Sequence, residues 1–285
     1  MRRIALTGAS GIIGSTLQRQ SPDIQFLCFD GDIRNPEAVQ RFCLSAVSCE
    51  AIIHLAALVP KQAVDRNPID ALDINVRGTL NILDCLRDLG DSAPFLFFAS
   101  SSHVYASSSY PVVENDDLQP FTFYGLTKLQ AEEWCRAYVR DFGLKICIGR
   151  IFSFTDRRQS NLFFIPAMFN KIMNAKSGAV LNLRGVNGKR DFLTASQVSN
   201  AILYLCNRGA TGNVNIGSGI GTPLIDIVNK IVTICRREDL IINVADDQPD
   251  FHVASVELLN SYGLTLPSLV DDVLTEMAKR DENGP

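Results

Sequence analysis

The chain has 285 residues, 46% of them hydrophobic and 20% charged, with a net charge of −4. That is enough apolar sequence to bury a full core, which excludes gross disorder, and the slight acidic excess excludes binding to nucleic acid or an anionic membrane by bulk charge. No apolar run approaches the roughly 20 residues that a membrane crossing needs. Arg2-Arg3 before IALTGAS leads into glycine too soon for a secretory signal, so a cytoplasmic location is expected. The eight cysteines include no CxxC pair and mostly sit in apolar runs. That predicts reduced, buried thiols and no metal site.

Strand-like and helix-like segments alternate from the first residue. RRIALTG is a short apolar run ending in glycine, and IIGSTLQRQ behind it is helix-like. IQFLCFD is a second strand, and NPEAVQRFCLSAV is a helix opened by Pro36. AIIHLAA is a third strand, and PIDALDINVRGTLNILDCLRDLG reads as one long helical segment stopped by Gly90. The strand PFLFFASS, the helix YGLTKLQAEEWCRAYVRDFG and the strand LKICIGRIF continue the rhythm. This alternation predicts an α/β fold with a doubly wound parallel sheet and right-handed crossovers. Beyond Phe152 the rhythm loosens into LFFIPAMFNKIMNAKSG and PLIDIVNKIVTICRRE as helices, RDFLTASQVSNAILYLCNRG as a strand entering a helix, and GNVNIGSG as a short strand. The reading is a main unit over residues 1–153, with segments near 190–217 returning to its sheet, and a smaller C-terminal lobe over 154–285. The acidic tail Asp281-Glu282-Asn283 is expected to fray.

Gly8, Ser10, Gly11, Ile12, Ile13 and Gly14, in the run TGASGIIG, lie where the first strand gives way to the first helix. Glycine lets the backbone turn sharply and approach a pyrophosphate, which the free N–H groups and positive dipole end of the helix then face. In this context the run predicts a Rossmann-type dinucleotide site. Asp30 ends the second strand, where a carboxylate accepts the adenosine ribose hydroxyls and repels a 2′-phosphate, favouring NAD. Asp32 and Ile33 are placed to hold the adenine, whereas Arg34 attracts a 2′-phosphate and leaves NADP open.

Tyr124 and Lys128 are four apart on a helix and share one face. A neighbouring ammonium lowers the pKa of a phenol, which at about 10 is otherwise a poor base at neutral pH. The fourth strand ends in Ser100-Ser101-Ser102-His103-Val104-Tyr105, at the sheet edge where open parallel sheets bind their ligands.

With these motifs together, the chain resembles the extended short-chain dehydrogenase/reductase family, also called the NAD-dependent epimerase/dehydratase family. The resemblance rests on TGASGIIG, HLAA at 54–57, SSSHVY at 100–105 and YGLTK at 124–128, in that order. It continues through Arg150-Ile-Phe, the stretch from Asn161 to Pro166, Arg190-Asp-Phe-Leu and Asn215-Ile-Gly-Ser-Gly. It implies Tyr124 as the catalytic acid/base, Lys128 as the group that tunes it and holds the nicotinamide ribose, and Ser101 as the hydroxyl that orients the reacting oxygen. It implies Asn75 as support for the proton relay, Leu55, Ala56 and Ala57 along the cofactor cleft, Ser102 near the substrate, and Asn161 and Arg190 at the substrate diphosphate. An arginine fork suits phosphate oxygens. A homodimer through two long helices is also implied.

Ser102 and His103 stand where the 4,6-dehydratases of that family carry an acidic pair, which speaks against dehydration and makes His103 a candidate second acid/base. The family's RxFN ends here in Ser153, and its YVxDV reads Thr194-Ala-Ser-Gln197-Val198. The expectation is an NAD(P)-dependent oxidoreductase acting at a ring carbon, C4, of a nucleoside-diphosphate sugar. A 4-ketoreductase of a 4-keto-6-deoxy sugar nucleotide is favoured, with a 4-epimerase as the alternative and a non-catalytic dinucleotide sensor as a remote one.

Overall fold

The computed structural model describes residues 2–59, 61–248 and 250–279; the acidic tail Asp281-Glu282-Asn283 lies outside the described residues. β1 (Arg2–Thr7) leads into α1 (Ile12–Gln20), β2 (Ile24–Cys28), α2 (Pro36–Ala46) and β3 (Ala51–His54). The helices α3 (Lys61–Arg66), α4 (Pro68–Leu72) and α5 (Gly78–Leu89) precede β4 (Phe95–Ser101), α6 (Phe123–Phe142) and β5 (Ile146–Ile151). Next come β6 (Ser153–Thr155), α7 (Phe164–Met173), β7 (Val180–Leu183), β8 (Lys189–Thr194), α8 (Ala195–Arg208) and β9 (Gly212–Ile216). The chain closes through β10 (Gly221–Pro223), α9 (Leu224–Ile234), β11 (Ile241–Val244), β12 (Phe251–His252), α10 (Glu257–Ser261) and α11 (Val270–Lys279).

Six strands make one parallel sheet in the order β2-β1-β3-β4-β5-β9, the doubly wound α/β architecture expected. Both faces are covered, which is why β3 and β5 are buried at every position and read as continuous apolar runs. On one face Val39 and Phe42 of α2, Leu83 of α5 and Cys135 of α6 pack with Ile52 and Phe98. On the other, Leu17 of α1, Ile202 of α8 and Leu259 of α10 pack with Leu6, Ile53 and Phe97. The chain runs out from β1 to β2 and then back across to β3, so the strand order reverses beside β1. A crevice opens at the carboxyl ends of the strands at such a reversal.

The later elements build a second core. Phe169 and Ile172 of α7, Ile227 of α9, Leu274 of α11, Leu183 of β7 and Phe192 of β8 pack together. β8 is the hub, pairing with β10, β12 and β6. Pro166 falls in the first turn of α7, where its missing N–H costs no helical bond.

One segment departs from its sequence reading. Residues 68–89 are not a single helix: α4 passes through a π turn at Asp73–Arg77 before α5 begins. The wide turn carries Asn75, 1% exposed. Its side chain accepts from Leu58 N at 2.7 Å and donates to Leu58 O at 3.1 Å and to Thr127 Oγ1 at 3.0 Å. A π turn of this sort marks a position used for more than helix continuity. Gly90, with φ 54, stops the segment as expected.

Among the described residues no helix is long and apolar enough to cross a membrane. Five of the eight cysteines are buried.

Candidate active site

A cavity of about 810 Å³ runs from the glycine loop past the ends of β4 and β5 to the second lobe. Gly8, Ser10, Gly11, Ile12, Ile13 and Gly14 form one end of it, with Leu55, Ala56 and Ala57 beside them. Gly8 has φ +70, and a Cβ on it would meet Ala56 N at 2.7 Å. A Cβ on Gly14 would meet Gly8 O at 2.3 Å. Only glycine permits this close approach. Gly11 caps α1 without any side-chain hydrogen bond, so the first N–H groups of that helix have no side-chain partner where they border the cavity.

The middle of the cavity is built by β4 and α6. Thr122 caps α6 by accepting from Gly125 N at 3.0 Å. The next turn carries Tyr124 and Lys128 on the cavity side. Ser101 ends β4 and hydrogen-bonds the Tyr124 phenol. Burial pushes that phenol up to about 12, and only the Ser101 bond opposes it. The expected lowering by Lys128 is absent for a geometric reason. Lys128 Nζ donates to Ala99 O at 2.8 Å and sits 5.0 Å from the Phe98 ring centre. Burial lowers the lysine itself to about 8. Tyr124 is thus held as a proton donor.

The far end carries His103 and Arg190. Arg190 Nη2 pairs with Asp250 Oδ2 at 2.6 Å, and Nη1 donates to Asp250 O at 2.8 Å. His252 Nε2 lies 3.1 Å from Asp250 Oδ1. Burial works against ionisation of Asp250, yet His252 and Arg190 hold its carboxyl well below the usual carboxylate range.

Not every residue singled out by sequence reaches the cleft. Asp30 and Asp32 are exposed and do not line it. Arg34 is committed to Asp32, with Nη2 to Oδ2 at 2.7 Å and Nε to Oδ1 at 2.9 Å, and holds Asp32 at about 2. Ile33 is a core residue, 5% exposed, and the closest side chain to Gly78 of α5. Ser102 is buried in the turn after β4. Asn75 stands behind the site, joining the loop after β3 to α6 through the bonds given above. Asn161 faces a neighbouring cavity of about 520 Å³ with Asn170 and Asn174. Thr194 and Gln197 form a capping box that starts α8, a structural use for the two positions where the family's tyrosine and aspartate are missing.

A model of the NAD dependent epimerase/dehydratase family matches residues 4–217. The chain belongs to this family. It is 28% identical over 250 residues to the GDP-6-deoxy-D-mannose reductase of Pseudomonas aeruginosa, covering 83% of this chain and 81% of that protein. It is 31% identical over 222 residues to a candidate UDP-glucose 4-epimerase of Methanocaldococcus jannaschii, covering 76% and 69%. In fold it is similar to RMD from Pseudomonas aeruginosa complexed with NADPH, with a TM-score of 0.87, 23% identity and 99% of both chains covered.

Family membership makes the protein an NAD(P)-dependent enzyme, and the cleft fits that cofactor. The glycine cradle leaves room that any Cβ would fill, the N-terminus of α1 offers uncapped donors, and Thr155 Oγ1 is buried without a partner in the cavity wall. Sequence reasoning missed Thr155, Gln159 and Phe163 in the wall, and His252 behind it. Thr155 ends β6, the short strand that follows β5, and Gln159 lies in the loop beyond it; a position at or just past a strand end was the available signal. His252 ends the two-residue strand that follows Asp250, too short to stand out by pattern.

Proposed function

We propose that the chain is a 4-ketoreductase of a 4-keto-6-deoxy sugar nucleotide. The observation that carries this reading is the chemistry of the cleft wall: among the described residues no aspartate or glutamate lines it, while Lys61, Lys128 and Arg190 do. Dehydration needs a carboxylate pair to move protons at neighbouring carbons, whereas reduction needs one proton donor at the reacting oxygen. A cationic wall also suits a nucleoside diphosphate.

Reduced NAD(P), bound along the glycine loop, supplies the hydride. Ser101 and Tyr124 hold the 4-keto oxygen between two hydroxyls, and Tyr124 gives its proton to that oxygen as it becomes an alcohol. The high phenol pKa keeps the proton in place until negative charge develops on the acceptor. Lys128, fixed on the Ala99 carbonyl, is placed for the nicotinamide ribose. Arg190 faces the diphosphate, and Asn161 is assigned to the rim beyond it. Residues 1–153 with α8 and β9 serve the cofactor and residues 154–285 mainly the sugar.

The committed Arg34 supports NAD over NADP. The exposed apolar face of α6, with Trp134, Val139 and Phe142, supports a homodimer, and the absence of a membrane-spanning helix among the described residues is consistent with a cytoplasmic enzyme. The test is oxidation of NADH and NADPH with 4-keto-6-deoxy sugars on guanosine, uridine and thymidine diphosphates. Turnover of one of them is expected, and none across all three would overturn the reading. A 4-epimerase is the second reading, supported by the relative from Methanocaldococcus. It predicts near-stoichiometric NAD released on denaturing the purified protein, which mass spectrometry detects.

A further inference from the structure

His103 occupies an unusual position for a histidine in a cleft. Its backbone is clamped on both sides. Its N–H donates to Ser101 Oγ at 3.3 Å, and its carbonyl fills the space where a Cβ on Gly125 would come within 2.2 Å. The ring packs edge-on against Tyr124, with centroids 6.0 Å apart at 73°. On its other side lies the His252 ring, at 5.2 Å, and Phe121 backs His252 at 5.9 Å.

The two ring nitrogens of His103 are not equivalent. Nδ1 is buried and has no hydrogen-bond partner. Nε2 also has no hydrogen-bond partner among the described residues, but it is not among the buried unpartnered atoms, and the residue lines the cavity. A neutral imidazole carries one proton on one nitrogen. An orphaned buried N–H is the rarer and costlier arrangement, so the proton belongs on the nitrogen that opens to the cleft. The charged groups around the ring agree. Burial, then His252 on β12 and Arg190 on β8, push His103 down to about 4, against a smaller opposing pull from Asp250. Tyr124 on α6 is neutral at that pH and adds no charge.

We propose that His103 holds its proton on Nε2 and offers it as a fixed hydrogen-bond donor to the sugar in the cleft. It does not give that proton away. This rests on the ketoreductase reading for the identity of the acceptor, a hydroxyl or keto oxygen next to the one that Ser101 and Tyr124 hold. Burial first, with smaller contributions from His252 and Arg190, keeps the ring uncharged. A neutral donor stabilises charge developing on a neighbouring oxygen without a competing acid step, a pattern in which the environment and not the residue type sets the role.

The first experiment is two-bond ¹H–¹⁵N correlation on the full chain labelled at histidine, with the three histidines assigned by loss of one signal in His103→Gln. An Nε2–H tautomer that does not titrate between about pH 5 and 8 supports the proposal. An Nδ1–H tautomer, or a midpoint between about 6 and 7, overturns it whatever the sugar proves to be. The second compares His103→Gln, whose amide can supply an N–H near the Nε2 position, with His103→Leu. With the keto sugar turned over by the wild type, His103→Leu should lose on the order of 10²-fold in kcat, and His103→Gln should retain most activity with an unchanged pH profile. Equal loss in both variants together with a new pH dependence would overturn it. If no sugar is turned over, the function reading fails while the tautomer measurement still decides the donor.

Discussion

Glu132 and Arg150 meet in an ion pair that neither side chain shares with solvent, Oε2 to Nη2 at 2.7 Å. Glu132 also accepts from Ser100 Oγ at 2.5 Å and from Arg136 Nη1 at 2.9 Å. Arg150 donates to the Tyr105 hydroxyl and the Glu114 carbonyl. Glu132 lies one turn beyond Lys128, so the pair anchors the active-site helix to β5 from behind. Removing one partner strands the other in the interior. Glu132→Ala should cost about 3–5 kcal/mol, read from urea unfolding. A loss below about 1 kcal/mol would mean that water reaches the pair.

Tyr124 is expected to matter for chemistry and not for binding. Tyr124→Phe removes the proton donor and keeps the ring. Turnover with the keto sugar should fall by about 10²- to 10⁴-fold. The affinity for NAD(P)H, followed by fluorescence, should change little. A parallel loss of cofactor binding would place the hydroxyl in the cofactor site and not at the reacting oxygen.

Arg34 is held by Asp32 and reaches Asp70 at 3.4 Å. Its donors are spoken for, and a 2′-phosphate would meet carboxylates first. NADH should therefore bind more tightly than NADPH. Asp32→Asn frees the guanidinium, and the ratio of the two dissociation constants should shift toward NADPH by about tenfold, equivalent to one charge-assisted bond. An unchanged ratio would remove Arg34 from the selectivity.

His54 is enclosed between Thr7 and Thr79, with Nδ1 2.7 Å from Thr7 Oγ1 and Nε2 3.1 Å from Thr79 Oγ1. Burial, with a smaller push from Lys128, lowers its pKa from 6.5 to about 3. Between those values the unfolded chain binds a proton that the folded chain does not. Stability contributed here is thus present above 6.5 and lost as pH falls toward the folded value. Tm should decline as the buffer is acidified through this window, and His54→Asn should flatten the slope. A slope that survives that change would assign the acid sensitivity elsewhere.

The cofactor half was readable because its signals are local. TGASGIIG sits on seven consecutive peptide bonds, and Tyr124 and Lys128 are one helical turn apart. What stayed hidden depends on contacts distant along the chain. Arg190 and Asp250 are 60 residues apart, and β12 has two residues, too few for a periodicity. Ile33 follows Asp32 in sequence but turns inward against Gly78, whose missing side chain leaves room for it at the start of α5. Nothing in the string PIDALDINVRG signals a π turn, since its cause is the tertiary bonding of Asn75 to Leu58 and Thr127.

A wall bearing cations and, among the described residues, no carboxylate sits inside a molecule of net charge −4. The net charge repels a polyanion at a distance, while the cations of the cleft draw it in at short range. Raising ionic strength shortens the reach of both fields, and the weaker long-range repulsion fades first. Capture of a nucleoside diphosphate at such a cleft is then a short-range event, governed by the last Debye length before contact.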